Sequence, residues 1–379
     1  MQLVDYDPFA TAELTRVVPS TAAQKEIWIA SRMGADVSCA FNECVSLHLS
    51  GPLDSARFKR AFQRLIELHE ILRCTFSPDD GRLCVAAQAL IAYREGNLAE
   101  SALPSILAAE VETPFDLENG PLVRGRLDRL FDNEYRFTLT AHHSVCDGWS
   151  LAVLLRDLGH CYAGTAPPEA QPFSEYMNWL ESDEVAEQRH SALAYWIDRL
   201  KGDLPTLQLP TDRPHQPVRT FRANRLDHAI SPETTRSLKR AAGRAGVSFF
   251  TFLFTAFAGF LHRLTGQQDL IIGVPAAGQS TSGLTNVVGH CVNLLPIRCA
   301  VDPRQPFGKC LSEARTAVLD AYDHQQLTYG ELLPHLKLRR DASRPPLVSV
   351  AFNLEQAVKP SDLPFPGLEV SFHSNPRHF

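Results

Sequence analysis

Two clusters of proline and glycine set how this chain can be divided. Pro167, Pro168 and Pro172 follow Gly164, and Pro205, Pro210, Pro214 and Pro217 follow Gly202. Proline removes a backbone donor and glycine is entropically costly to hold in a helix or strand, so both clusters read as breaks. They flank two short helical patterns around Tyr176 and Tyr195. The boundary between two lobes is placed there, at 165–215, and each flanking part is about the size of one domain.

Both parts mix the two apolar periods. Before the boundary, Ala23, Ile27, Trp28 and Ala30 recur at helical spacing behind Ser20 or Thr21 as N-cap. Val45, Leu47 and Leu49 alternate with Ser46, His48 and Ser50 up to the Gly51-Pro52 turn, the pattern of a half-buried strand. Asp54 caps a helix with Phe58, Phe62, Leu65, Ile66 and Leu68 on one face, and 72–76 is short enough for a strand. A helix at 103–111 precedes strands at 122–130 and 135–141, a hairpin turned by Asp132-Asn133 that leads into His142; a helix follows at 149–162. Beyond the boundary the expected order is a strand at 222–230, helices at 232–245 and 249–264, strands at 270–275 and 291–299, helices at 307–324 and 329–336, and strands near 347–354 and 368–372. The phenylalanines from Phe249 to Phe260 are too dense for one face and read as a buried core helix. Mixed elements in two similar halves predict an α/β fold with a cleft between lobes.

Composition excludes several function classes. Lys and Arg number 37 against 43 Asp and Glu, a net charge of −6, so the basic surplus of a nucleic-acid binder is missing. The apolar run 247–261 is interrupted by Ser248, Thr251 and Thr255, too polar and short for a membrane span. Nine cysteines without a CxxC pair, behind a start that carries Asp5 and Asp7, read as small core residues of a cytoplasmic protein.

The segment 140–150 carries the chemistry. His142, His143, Asp147, Gly148, Trp149 and Ser150 fall where a strand becomes a loop and then a helix. Adjacent residues leaving a strand point to opposite faces, so one of the two histidines is expected to be structural. Asp147 can anchor the loop through an arginine or a ring nitrogen, and Gly148 permits close approach of a substrate. A histidine held this way can accept a proton or orient a nucleophile. HExxH is absent and adjacent histidines suit one tetrahedral ion poorly, so no metal is expected. The bland alternative is a satisfied pair of core histidines.

His142-His143-x-x-x-Asp147-Gly148 resembles the HHxxxDG signature of nonribosomal peptide synthetase condensation domains, of the chloramphenicol acetyltransferase-like superfamily. Six further stretches resemble the family's other motifs, in its order. They are Ser20 to Trp28, His69 to Phe76 (preceded by Leu68, where arginine is frequent), Phe173 to Tyr176, Val288 to Asn293, His324 to Gln326, and Arg340 to Leu347 with Phe352-Asn353. The resemblance spans about 17–355. It implies two acetyltransferase-like lobes in a V-shaped pseudo-dimer with a central tunnel: a leader or linker at 1–16, an N-terminal lobe at 17–165, inter-lobe helices and linker at 166–215, and a C-terminal lobe at 216–379. The end at Phe379, soon after the last motif, predicts a second lobe lacking its final strand and helix.

The implied reaction joins a donor acyl thioester to an acceptor aminoacyl thioester. Both ride on phosphopantetheine arms of donor and acceptor carrier domains, with no cofactor bound directly. His143 is the implied base or orienter, with His142 beside it. Asp147 is expected to be tied to Arg73 or Arg344, with Asp341 a further supporting charge; Gly148 N–H and the Ser150 hydroxyl are candidate donors to the reacting carbonyl. Trp149, Asn293, Gln326 and Asn353 are candidate tunnel-wall or substrate-binding residues, although Trp28 and Trp149 also suit plain packing. The first histidine of the signature stands where heterocyclising relatives carry aspartate, and the run after Gly148 looks unlike that of epimerising ones. Cys39-Ala-Phe-Asn42-Glu43 resembles domains that follow polyketide modules, which points to a polyketide or fatty acyl donor. Two rivals remain: a free-standing coenzyme A-dependent acyltransferase and a non-catalytic carrier-docking module.

Overall fold

The computed structural model describes residues 14–88, 91–339, 341–356 and 358–375. The first half runs β1 (Leu14–Val18), α1 (Ala22–Ser31), α2 (Ala35–Cys39), β2 (Asn42–Ser50), α3 (Ser55–Leu68), β3 (Cys74–Phe76), β4 (Leu83–Ala86), β5 (Ala92–Asn97), α4 (Leu103–Glu112), β6 (Val123–Phe131), β7 (Glu134–His142) and α5 (Gly148–Ala163). α6 (Phe173–Leu180) and α7 (Asp183–Arg199) follow, within the stretch 166–215. The second half runs α8 (Pro232–Arg244), α9 (Phe249–Thr265), β8 (Asp269–Ala277), α10 (Gly278–Ser282), β9 (Val292–Ala300), α11 (Phe307–Asp323), α12 (Tyr329–Leu332) and β10 (Glu369–Ser374).

Local chemistry explains the starts and stops. Thr21 and Gln24 form a reciprocal capping box on α1, and Asp54 caps α3 by accepting from the Arg57 amide. Phe58, Phe62 and Leu65 of α3 are fully buried, and α3 lies so close to the sheet that a Cβ at Gly125 of β6 would come within 2.9 Å of the Phe62 ring. The β6–β7 turn is made by Asn133 at φ 59°, the left-handed conformation that asparagine tolerates. The larger sheet has the order β10-β2-β7-β6-β5, with β5 parallel to β6 and the other pairs antiparallel. β1, β4 and β3 form a second sheet, and β8 pairs with β9.

Several expectations are corrected. Residues 14–16, expected in the leader, belong to β1, which pairs with β4; the rest of that leader, with Arg340, lies outside the described residues. The stretch 222–230 forms no ladder: Leu226 is 96% exposed and no alternating apolar face is present to bury. The segment near 347–354 makes only a bridge, in which Gly273 N–H donates to the Val350 carbonyl (2.9 Å) and Phe352 N–H to the Gly273 carbonyl (2.8 Å). The final strand, β10, leaves the C-terminal half and pairs with β2 in the sheet of the first half. α9 is one-sided: Phe254 is fully buried, but Phe260 is 54% exposed.

Two hydrophobic cores result, one around β2, β7, α3 and α5, the other around β8, β9, α9 and α11. The loop between α10 and β9 crosses over, and its Val287, Val288 and Cys291 pack in the first core. At Gly289 a Cβ would collide with the Phe173 ring, so only glycine lets this loop sit so deep. Among the described residues no single helix is long and apolar enough to cross a membrane; α8 and α9 pass that test only together and are bent by 101°.

Candidate active site

β7 ends at His142, residues 143–147 form the turn, and α5 starts at Gly148. The turn is pinned from several sides. His142 N–H donates to the Leu122 carbonyl (2.9 Å), His143 N–H to the Phe41 carbonyl (2.7 Å), and the Gln24 side chain to the Ser144 carbonyl (2.9 Å).

The histidines separate as strand alternation requires. His142 is fully buried between Phe41 and Phe115; its Nδ1 meets Ser144 Oγ at 2.7 Å and its Nε2 faces Ser31 Oγ at 3.4 Å. Burial, then the neighbouring His143, brings its pKa down to about 3. The unfolded imidazole titrates near ~6.5, so between that pH and 3 the unfolded chain binds the extra proton. Stability is therefore full above pH 6.5 and falls as pH drops through this window, by up to about 1.4 kcal/mol per pH unit for one proton. In His142→Met the urea midpoint is expected to change less between pH 7 and pH 5 than in the parent; equal changes would refute this account.

His143 is half-buried. Its Nδ1 lies 2.7 Å from the Cys146 carbonyl, which can only accept, so Nδ1 carries hydrogen and the neutral ring keeps its lone pair on Nε2. The ring meets His290 edge to face, with centroids 4.6 Å apart and planes at 80°. Burial, with His143 and His142 close by, keeps His290 well below the ordinary imidazole pKa. His290 lines a small, partly open pocket together with Tyr176, Asn293, Gln326 and Thr328.

Asp147 is fully buried, and among the described residues no arginine pairs with it. Its Oδ1 accepts from the Ser150 amide (2.8 Å) and hydroxyl (2.7 Å), and its Oδ2 from Gln279 Nε2 (2.9 Å) and the Cys291 amide (3.0 Å). Arg73 instead donates to the carbonyls of Ala86 and Ala87, and Arg344 to the Leu207 carbonyl and Gln208. The expected arginine pairing is therefore corrected: neutral donors and the N-terminus of α5 take the arginine's place. Asp341 is bound to its neighbour Ser343 and lies on the surface.

Ser150 is not free for a substrate carbonyl. Its hydroxyl donates to Asp147 and accepts from the Gly289 amide at 3.0 Å, and its side chain is fully buried. Gly148 and Trp149 differ. Among the described residues no hydrogen bond takes up either main-chain N–H, and both residues are exposed at the start of the 16-residue α5. Trp149, 38% exposed, ties this end to the crossing loop by donating from its indole to the Thr285 carbonyl. The Glu355 carboxylate overhangs Gly148, 3.3 Å from where a Cβ would sit.

The remaining candidates divide. Asn293 has its amide committed to the carbonyls of Gln325 and Leu327, so it holds β9 to the segment before α12. Asn353 is exposed and bonded to Glu355. Gln326 lines the pocket, and its side chain makes no hydrogen bond among the described residues. Nothing in the sequence by itself marks His290, Gln279 or Glu355 for a role. His290 lay inside a motif already singled out, but only its contact with His143 draws attention to it.

A protein-family model for condensation domains matches residues 15–374. One of the plipastatin synthase subunits of Bacillus subtilis (strain 168) is 32% identical over 358 residues, covering 93% of this chain. Surfactin synthase subunit 2 of the same organism is 31% identical over 376 residues, 98% of this chain. The chain spans only 14% and 10% of those two proteins. The solved condensation domain from Monacolin K polyketide synthase MokA superposes with a TM-score of 0.84 at 20% identity, covering 96% of this chain and 87% of that one.

Proposed function

The chain belongs to the condensation-domain family, whose members are acyltransferases that form amide bonds, and on that premise we propose that His143 serves the joining of a donor acyl thioester to an acceptor aminoacyl thioester. Both substrates arrive on phosphopantetheine arms of carrier domains in peptide or hybrid polyketide-peptide assembly. The observation that carries the reading is the tautomer of His143: with Nδ1 committed to the Cys146 carbonyl, Nε2 is left as a proton acceptor, and the ring touches His290, which lines the neighbouring pocket.

The acceptor amine attacks the donor carbonyl carbon and a C–N bond forms. The carbonyl oxygen becomes an oxyanion, for which the free Gly148 and Trp149 amides at the positive end of α5 are the suited donors. The nitrogen gives one proton to His143, the C–S bond breaks, and that proton leaves on the thiolate sulfur. An amine with a reference pKa near ~8 is partly neutral at pH 7, so positioning contributes alongside basicity.

Incubation with acyl-loaded donor and aminoacyl-loaded acceptor carriers, followed by intact mass measurement, is expected to show the donor acyl group transferred onto the acceptor arm. Equal use of an acyl-coenzyme A donor with a free amine would instead favour a free-standing acyltransferase. Donor acyl groups that stay on the donor arm, with no amide on the acceptor arm, would overturn the reading.

A further inference from the structure

His290 has no part in the chemistry above, yet its surroundings are those of a substrate contact. It comes from the loop before β9, in the opposite half of the chain from His143, and its ring is only 7% exposed. Its Nδ1 is buried with no hydrogen-bond partner among the described residues. Leaving such a nitrogen unpaired costs roughly 1–3 kcal/mol, and orphans of this kind call for a partner that arrives later. The ring lines the pocket with Tyr176, Asn293 and Gln326 and touches His143, so it joins that space to the reacting histidine. Burial, then His143 and His142, hold the ring below the ordinary imidazole range against a main-chain hydrogen bond to His143; that bond occupies one ring nitrogen at most, so the neutral ring keeps one lone-pair nitrogen for a ligand.

A primary amine offers two N–H groups and one lone pair. Attack requires the lone pair to face the carbonyl while both N–H groups point elsewhere, and Nε2 of His143 can take only one of them. We propose that a ring nitrogen of His290 accepts the second N–H of the incoming acceptor amine, so that two imidazoles from the two halves of the chain aim its lone pair at the thioester carbonyl. This deepens the condensation reading and rests on it. When the C–N bond has formed, His143 removes one proton from the nitrogen and passes it to the departing sulfur. The N–H held by His290 stays and becomes the amide N–H. The acceptors favoured are therefore primary amines; an N-methylated acceptor has one N–H and leaves one of the two imidazoles unused.

The test compares glycyl- and N-methylglycyl-loaded acceptor carriers with one donor-loaded carrier, in the parent protein and in His290→Phe and His290→Gln. The parent is expected to prefer the glycyl acceptor. His290→Phe should lose roughly 3- to 10-fold in kcat/KM with the glycyl acceptor and stay within about 2-fold with the N-methylated one, so that the preference collapses. His290→Gln, which keeps an acceptor oxygen, should retain more of it. A purely structural role would lower both acceptors together, and an unchanged ratio in a folded His290→Phe overturns the inference alone. If His290→Phe loses its cooperative melting, His290→Leu carries the same comparison. No amide from the parent with either acceptor overturns the condensation reading and this inference with it.

Discussion

Alanine in place of His143 is expected to lower single-turnover amide formation by roughly 10²- to 10⁴-fold, the span attributed to a positioned general base. The fold should survive, because the side chain is half-buried and its loss removes one hydrogen bond, to the Cys146 carbonyl. That bond is worth about 1 kcal/mol, so urea midpoints should move little. His143→Gln separates base from orienter: an orienting role leaves substantial rate, whereas a basic role loses nearly all of it. Amide yield from His143→Ala equal to that of the parent would remove His143 from the chemistry.

Asp147→Asn should destabilise the protein by about 3 kcal/mol, the range for leaving a buried donor opposed to another donor. Two donors meet each carboxylate oxygen. The Ser150 hydroxyl and the Gln279 amide can turn around, but the main-chain N–H groups of Ser150 and Cys291 cannot. Whichever way the new carboxamide sits, its NH₂ faces one of those fixed donors. Because Gln279 and Cys291 belong to the other half of the chain, the damage should spread to the crossing loop and with it to His290. Equilibrium unfolding would read the loss, and an unchanged midpoint would refute the structural role of Asp147.

Much of the site was legible in the sequence because it is built from contiguous residues. A period of two changing to a period near four around His142 and Gly148 requires a strand-to-helix turn, and the alternation at a strand end separates the roles of two adjacent histidines. The same reasoning could not find the partner of Asp147. Arginine was expected because a buried carboxylate needs compensation, and the sequence offered no means of seeing that Gln279, Cys291 and Ser150 supply it with neutral donors. The engagement of Ser150 is hidden from the sequence for a similar reason: its second partner, Gly289, lies 139 residues away.

Local periodicity, caps and turn residues thus determined which segments are helices and strands and where the reactive turn falls, because those choices depend on neighbours a few residues apart. Tertiary packing alone decided the pairing of β10 with β2, the descent of the loop 284–291 into the first core, and the contact of His290 with His143. Each of these joins groups far apart along the chain, and burial and hydrogen-bond partners of that kind exist only once the chain has closed on itself.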